Sequence, residues 1–402
     1  MPKPLFFLPA LAFLPSAGSA QGALSCNGDP DLCDRPYNEV AYATTHNAYA
    51  SSADGFFLPV PNQAFDMPTQ LADGVRALML DTYDFFGGSF LCHGSCLLGS
   101  KPLVEGLTEV RQFLAANPNE VVTLILESYL SEAKTAQAFA DAGLTPYLYA
   151  HPGGAGPTLR TMIEDGTRLV VLTDDSGASL PWHHYVWSLA WETHFDFPTL
   201  ASFSCTENRG TPPDDLFVLN HFLTGPLGGL PDEAPLVNSY PELFVRAAEC
   251  WGYEATNPLR QMPNFVTVDH YHEGDVFEAV AALNAAWPEA PLWLDAPPLP
   301  SGAGATVTVE GALAGETVFV GYGLSGLGPG ACFAPLGGLC LDLQSPAYYL
   351  GLAIADGAGV GQLFVAVPPG LPPIEVGLQA VAVRGAGGVE SVKSVAVATS
   401  IL

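Results

Sequence analysis

Two histidines follow apolar, strand-like runs of the chain. His46 comes directly after the run 40–45 and precedes Asn47, and His93 lies in a Cys-His-Gly sequence soon after the apolar run 75–80 and the acid Asp81. Two imidazoles in one pocket, with carboxylates beside them, suit the general base and the general acid of phosphodiester cleavage. A single histidine is more often structural, so the chemical interpretation depends on further residues at the same strand ends.

Further polar residues end apolar runs in the same manner. Asp81 and Glu127 end the second and third runs, Asn220 ends a later one, and Asp269 ends the last. A buried acid without a partner would cost several kcal/mol or shift its pKa. We therefore expect Asp81, Glu127 and Asn47 to converge on a divalent cation, which would remove that cost.

The elements that must position these residues alternate along the chain between about residues 35 and 290. Candidate strands are 40–46, 75–82, 121–127, 168–173, 185–190, 216–222 and 264–270, and candidate helices are 103–116, 131–142, 239–250 and 275–286. This alternation is typical of a βα fold, in which the site lies where the strands end. Seven clear strands are one fewer than a complete barrel has, so we expect the eighth to be weak or missing.

Several motifs in the same order resemble the phosphatidylinositol-specific phospholipase C X-domain family, and most closely its secreted phospholipase C-like members. They are THNAY (45–49), GVRALMLDTYDF (74–85), LCH (91–93), PNEVVTLILE (118–127), RLVVLT (168–173) and PNFVTVD (263–269). The resemblance covers roughly residues 26–290. It implies an α/β fold with a (β/α)8-type TIM barrel, here complete or one strand short.

The resemblance also implies roles for individual residues. His46 matches the general base that deprotonates the attacking hydroxyl, and His93 matches the general acid that protonates the leaving alkoxide. Asp269 would orient His46 through its ring N–H and so fix the tautomer. The alternative for Asp269 is that it begins a helix.

In the metal-dependent branch of the family, four protein oxygens hold Ca²⁺. Carried over to this chain, three of these ligands are Asn47, Asp81 and Glu127, and the fourth position falls on Met79. Three ligands can still hold a cation with water and a substrate oxygen, and Ca²⁺ is expected rather than Mg²⁺. The metal-free branch has an Arg where this chain has Asp81, and Asp84 is a further ligand candidate although it has the opposite strand phase.

Composition narrows the choice of ligand. Lys and Arg number 13 against 41 Asp and Glu, which gives a formal net charge of -28. So acidic a chain excludes nucleic acid as a partner and argues against electrostatic docking on anionic membranes. It also argues against a multiply phosphorylated headgroup. Arg76 and Asn220 are candidates to contact the substrate, although Arg76 could instead pack near the barrel floor.

The amino terminus has the pattern of a secretory signal over residues 1–20, with Lys3, an apolar core and a small-residue cleavage site. No later apolar run is long enough to span a membrane. Eight cysteines fit an oxidising compartment, so we expect a secreted or cell-surface protein. Short separations favour the pairs Cys26–Cys33, Cys92–Cys96 and Cys332–Cys340, which leaves Cys205–Cys250.

Composition changes after a proline-rich linker at 297–302. Residues 303–402 contain alternating short apolar runs and no histidine, which predicts an all-β sandwich of immunoglobulin type. We therefore expect a barrel domain at 26–295 and a β-sandwich at 303–402. The sandwich is either an attachment module, which would hold the protein at a cell surface, or a part that only stabilises the barrel.

The sequence favours a secreted phosphoric diester hydrolase of phospholipase C-like type that acts on a lipid or another organic phosphodiester, such as a glycerophosphodiester. Two alternatives remain open. One is a glycerophosphodiesterase or sphingomyelinase D-like hydrolase, although these enzymes usually need a Glu-x-Asp pair that Met79 interrupts. The other is a catalytically degenerate surface-binding protein.

Overall fold

A computed structural model describes residues 24–150, 156–212, 214–226, 228–252, 256–257, 261–286, 292–388, 391–394 and 396–402. The predicted signal at 1–20 lies outside the described residues. In the part of the chain that the structure describes, no helix has the length and apolar character needed to cross a membrane.

The described residues of the barrel region form eleven strands and seven α-helices. The strands are β1 (Tyr42–Thr45), β2 (Ala77–Phe85), β3 (Gly88–Leu91), β4 (Lys101–Pro102), β5 (Val122–Tyr129), β6 (Leu169–Thr173), β7 (His183–Tyr185), β8 (Ala190–Thr193), β9 (Glu207–Arg209), β10 (Leu216–Asn220) and β11 (Phe265–Val268). The helices are α1 (Met67–Asp73), α2 (Leu103–Ala116), α3 (Glu132–Asp141), α4 (Leu159–Glu164), α5 (Ala234–Val237), α6 (Tyr240–Gly252) and α7 (Val276–Ala286). The four helices expected from the sequence are α2, α3, α6 and α7.

The parallel strands form one curled sheet in the order β7-β6-β5-β2-β1-β11-β10-β8. Eight parallel strands are therefore present among the described residues, so the eighth strand is not missing, but β7 has only three residues and β8 four, as expected of weak strands. The expected strand 185–190 is instead two short strands, β7 and β8, separated by a 3-10 turn at Val186–Ser188. No ladder joins β7 to β8 among the described residues, so the curled sheet is open at this point.

Alternation along the strands sorts side chains between two cores. On β5, Leu124 and Leu126 face the helices and belong to the larger core, whereas Ile125 belongs to the core inside the barrel. On β2, Leu78 and Leu80 likewise face the helices. Because successive side chains on a strand point to opposite faces, Glu127 is directed with Ile125 toward the barrel interior.

The carboxyl-terminal region forms two antiparallel sheets, in agreement with an all-β module. One sheet has the order β12-β13-β16 and the other contains β15-β14-β17-β18, with β19 also paired to β17. Their bounds are β12 (Trp293–Asp295), β13 (Ala305–Glu310), β14 (Thr317–Gly323), β15 (Ala347–Ile354), β16 (Gly361–Val365), β17 (Ile374–Ala382), β18 (Val392–Lys393) and β19 (Val397–Ile401). Strand β12 ends at residue 295, inside the expected barrel domain, yet pairs with β13, so the sheet begins before the expected boundary at 303.

All eight cysteines pair as expected. The disulfides are Cys26–Cys33, Cys92–Cys96, Cys205–Cys250 and Cys332–Cys340. Two of them bear on the candidate site, since Cys92–Cys96 closes the loop that carries His93 and Cys205–Cys250 ties the segment before β9 to α6. Four disulfides fit an extracellular protein.

Candidate active site

A cavity of about 140 Å³ lies at the carboxyl ends of the barrel strands. Its lining is contributed by β2, β5, β8, β9 and β10 and by residues that follow β1, β6, β7, β8 and β10. The polar lining residues are His46, Asn47, Asp81, Glu127, Asp174, Glu192, Arg209 and Asn220, and the apolar ones include Met79, Ile125, Trp187, Phe195 and Phe222. The cavity thus brings together His46, Asn47, Asp81, Glu127 and Asn220, which the sequence singled out, with three charged residues that it did not. Asp269 and His93, which the sequence also singled out, are not among its lining residues.

His46 is held from both sides by its neighbours. Its Nδ1 lies 2.9 Å from Asp269 Oδ1, and its ring stacks on Phe222 with 4.1 Å between ring centroids. Asn62 Nδ2 donates to both Asp269 oxygens, at 3.1 and 3.0 Å. Burial opposes protonation of His46, but Asp269, followed by Asp81 and Glu127, raises its pKa overall above the usual range. With Nδ1–H donated to Asp269, the other ring nitrogen, Nε2, is left as a proton acceptor.

His93 lies in the disulfide loop that follows β3. Its Nδ1 is buried and has no hydrogen-bond partner among the described residues. Burial, reinforced by the charge of His46, lowers the pKa of His93 to about 4, while Asp269 and Glu127 oppose this shift. His93 is not among the residues that line the cavity, and its loop is linked to Asp81 through the Tyr49 hydroxyl.

Asp81 and Glu127 face each other on neighbouring strands, since they are register partners of β2 and β5. Burial, followed by the charge of Glu127, raises the pKa of Asp81 to about 7. The Tyr49 hydroxyl lies 2.9 Å from Asp81 Oδ2 and 2.8 Å from the Cys92 carbonyl oxygen. This hydroxyl therefore connects the acid to the loop that carries His93.

The residues expected to bind a metal can be tested for fit. One end of the Asn47 amide lies 3.0 Å from Asp81 Oδ1 and 3.3 Å from Oδ2. If that end is nitrogen, it donates to the carboxylate; if it is oxygen, the two side chains present converging oxygens that suit a hard cation. No cluster of three or more His, Cys, Asp or Glu among the described residues could hold a metal by itself. A divalent cation here would therefore have to be held by the amide oxygen of Asn47 together with the carboxylates of Asp81 and Glu127.

A second polar cluster was not expected from the sequence. Glu192 on β8 is buried, and its Oε1 accepts from Arg209 Nε at 2.6 Å and from Asn208 Nδ2 at 2.7 Å. Its Oε2 accepts from Asn220 Nδ2 at 2.9 Å. Asp174, which directly follows β6, also lines the cavity. It is a polar residue at the end of the apolar run 168–173, so the reasoning that identified Asp81 and Glu127 would have identified it too.

Asn220 and Arg76 were both expected to contact the substrate, but only Asn220 lies at the cavity. Asn220 lines the cavity, but its Nδ2 is already donated to Glu192 and to the Thr193 carbonyl oxygen, so it supports the wall of the cavity. Arg76 is not at the site. It precedes β2 and binds Glu120 at 2.7 Å and the carbonyl oxygens of Leu71 and Val75. The expectation that Arg76 reaches a phosphate is therefore wrong, because this side chain lies at the opposite end of the strand.

Comparison with known proteins agrees with this architecture. The family model PI-PLC X 1, for the PI-PLC X domain, matches residues 32–284. A PI-PLC X domain-containing protein of Arabidopsis thaliana is 32% identical over 280 residues, covering 62% of this chain and 62% of that protein. PI-PLC X domain-containing protein 1 of Arthroderma benhamiae is 30% identical over 281 residues, covering 65% of this chain and 90% of that protein. The chain belongs to the PI-PLC X domain family.

Two further similarities extend the comparison. An uncharacterized secreted protein of Arthroderma benhamiae is 28% identical over 295 residues, covering 64% of each chain. A structure of phosphatidylinositol-specific phospholipase C from Staphylococcus aureus superposes with a TM-score of 0.43 at 14% identity, covering 63% of this chain and 95% of that one. The chain spans less than two thirds of the Arabidopsis relative.

Proposed function

We propose that this protein is a secreted phosphoric diester hydrolase of phospholipase C type. The observation that carries the proposal is that His46 lines the cavity together with Asp81 and Glu127 and has Asp269 Oδ1 2.9 Å from its Nδ1. The loop of the second histidine, His93, is tied to this site by the Tyr49 hydroxyl, which lies 2.9 Å from Asp81 Oδ2 and 2.8 Å from the Cys92 carbonyl oxygen. This arrangement has the parts of general acid–base catalysis and places them at the strand ends where barrel enzymes carry their sites.

In this mechanism, His46 Nε2 accepts the proton of the attacking hydroxyl, whose oxygen forms a bond to phosphorus. The bond from phosphorus to the leaving oxygen breaks, and His93 donates its proton to that oxygen. Asp269 keeps the proton of His46 on Nδ1, and Asn62 keeps Asp269 in place through its two hydrogen bonds. Asp269 is therefore a positioning residue, which acts through the tautomer of His46.

We further propose that Asn47, Asp81 and Glu127 hold a divalent cation, with Ca²⁺ favoured over Mg²⁺. When bound, such an ion supplies positive charge to a phosphoryl oxygen. The raised pKa of Asp81 supports a cation here, because burial and then the charge of Glu127 disfavour its ionised form, and a bound positive charge would offset both effects. Met79 in the fourth ligand position implies weak binding.

A lipid is the substrate class that the surroundings of the cavity favour. Eight exposed large apolar side chains of the described residues lie near the ends of strands of the barrel region in the chain. Phe57, Leu58 and Phe65 lie between β1 and α1, Phe86 follows β2, Leu97 and Leu98 follow β3, Tyr129 ends β5, and Phe195 follows β8. Phe86, Leu97 and Phe57 are 92%, 77% and 70% exposed. Apolar groups beside a polar cavity suit a substrate whose headgroup enters the site while its chains stay in a lipid surface.

The proposal is tested with a panel of phosphodiesters, assayed with and without chelator. The panel includes a soluble glycerophosphodiester and phosphatidylinositol in phosphatidylcholine vesicles, and the matched variants are His46→Ala and His93→Ala. We expect hydrolysis by the wild type that His46→Ala abolishes. Equal product formation by wild type and His46→Ala would contradict the assigned site.

A second candidate is a surface-binding protein with a degenerate barrel, attached through the carboxyl-terminal β-sandwich. The specific observation in its favour is Met79, an apolar side chain that lines the cavity at a position where an acid is expected. The same panel separates the two candidates, because a binding protein hydrolyses no member of it.

A further inference from the structure

Arg209 lines the cavity and is the one lysine or arginine among the described residues that does so. Contacts with neighbouring side chains fix its position. Its Nε donates to Glu192 Oε1 at 2.6 Å. Its guanidinium carbon lies 4.4 Å from the ring centroid of Trp187 and 5.0 Å from that of Phe195. A guanidinium stacked on aromatic rings and anchored through Nε presents its two terminal nitrogens as a rigid fork, which is the geometry that suits a phosphate.

Glu192, the β8–β9 pairing and a nearby disulfide hold Arg209 and its strand in position. Glu192 accepts hydrogen bonds at both oxygens, from Asn208, Arg209 and Asn220, so its carboxylate is already engaged within the protein. Strand β9 pairs with β8, and Gly210 lies so close to the Ala190 carbonyl oxygen that a Cβ there would clash. The Cys205–Cys250 disulfide fixes the chain just before β9.

The charges of the cavity define what Arg209 can bind. Its other charged or titratable lining groups are His46 and the acids Asp81, Glu127, Asp174 and Glu192. A phosphodiester carries a negative charge that the acids repel, and a fixed cation in the same cavity would offset this repulsion. His46 and Arg209 both line this cavity.

We propose that Arg209 binds a non-bridging oxygen of the substrate phosphodiester, and that Glu192, Trp187 and Phe195 preorganise it for this contact. The assignment rests on the proposed phosphodiesterase function. It gives the site a protein cation that comes from a β8–β9 hairpin outside the motifs around the two histidines. Arg209 is a substrate-binding residue in this assignment, and Glu192 is a positioning residue.

The test compares Arg209→Met and Arg209→Lys with a matched control, Arg160→Met. Arg160 is likewise paired with an acid, Asp34 at 2.6 Å, but it lies on α4 and does not line the cavity. We expect Arg209→Met to lower kcat/KM about 10- to 100-fold on every diester, as loss of a charge-assisted hydrogen bond does. Added guanidinium ion should restore part of the activity, Arg209→Lys should fall between, and Arg160→Met should match the wild type.

Two kinds of substrate separate contact with the phosphate from contact with the headgroup. Bis(4-nitrophenyl) phosphate has no polyol, whereas a glycerophosphodiester has one. A similar loss on both supports binding of the phosphate by Arg209. A loss confined to the glycerophosphodiester overturns the assignment in favour of a headgroup contact, and unchanged kcat/KM on both overturns it altogether.

A binding measurement distinguishes failure of this assignment from failure of the proposed function. Calorimetric titration with diethyl phosphate should give binding to wild type and to Arg160→Met, and at least tenfold weaker binding to Arg209→Met. Equal binding by all three proteins, or no binding to the wild type, overturns the role of Arg209. Loss of activity in His46→Ala together with normal activity in Arg209→Met would leave the proposed function in place and remove this contact.

Discussion

The lowered pKa of His93 leads to a sharp prediction about how this residue can act as an acid. At a pKa of about 4, only roughly one free molecule in a thousand carries a proton on His93 at pH 7. To be protonated at pH 7, the imidazolium must be stabilised by about 4 kcal/mol. A single negative charge about 4 Å away, at an effective dielectric constant of about 20, supplies about that amount. We therefore predict that binding of a phosphodiester anion raises the pKa of His93 by about three units.

The prediction is measured by NMR titration of the His93 ring, with and without diethyl phosphate. The free protein should titrate near the value given by burial, so that the protonated fraction rises as pH falls from 7 toward 4. With the diester bound, the midpoint should move toward neutral pH. The Arg160→Met variant serves as the control, since it changes one cation away from the cavity.

Kinetics on two leaving groups supply the second half of the test. An alkoxide leaving group needs a proton in the transition state, and loss of its donor should cost about 10²–10⁴-fold. A nitrophenolate leaves readily without one. His93→Ala should therefore be severely impaired on alkyl diesters and much less so on a nitrophenyl diester, whereas His46→Ala should be impaired on both. Equal losses on the two substrates for His93→Ala, or a His93 pKa that stays near 4 with the diester bound, would refute the reasoning.

Three other predictions follow from the geometry. Asp269→Asn removes the carboxylate 2.9 Å from His46 Nδ1 and should lower kcat about 10²–10⁴-fold with little change in KM, as steady-state kinetics will show; an unchanged kcat would contradict the positioning role. Calorimetry should detect Ca²⁺ binding that weakens in Asp81→Asn, and absence of Ca²⁺ and Mg²⁺ binding in both proteins would rule out the metal site. His221 is buried, and burial followed by Arg246 lowers its pKa to about 3, so below the unfolded pKa the unfolded chain binds a proton that the folded chain does not. Between pH 6.5 and 4.5 the wild type should lose about 2 kcal/mol more unfolding free energy than His221→Gln, measured by urea denaturation; parallel losses would show that His221 is not responsible.

Much of the barrel was predictable because its signals are local. An apolar strand followed by a polar residue identifies both the element and the end at which that residue lies, and this rule correctly placed His46, Asp81, Glu127 and Asn220 beside the cavity. Helix α2 was predictable for the same reason, since Leu103, Leu107, Val110 and Leu114 are all buried on one face.

The elements that were missed have weaker local signals. Helix α1 is only seven residues long and has Pro68 in its first turn, so its N-cap, Asp66, is the main sequence signal. Strands β7 and β8 have three and four residues and are separated by a single turn, so they were expected as one strand. The pairing of β12 with β13 across the proline-rich segment depends on contacts that composition does not encode.

Arg76 was expected to contact the substrate and does not, whereas Arg209 was not expected and lines the cavity. Only the first of these errors could have been avoided from the sequence. Arg76 precedes β2, and Asp81 lies five residues further along the same strand, about 16 Å away at about 3.3 Å per residue. An arginine side chain cannot span that distance and also be held by Glu120 at the other end, so strand arithmetic alone argues against a phosphate contact for Arg76. The position of Arg209 could not be predicted from distances along a strand. Its place at the cavity depends on the antiparallel pairing of β9 with β8 and on the buried acceptor Glu192, and both are tertiary features that no spacing in the sequence expresses.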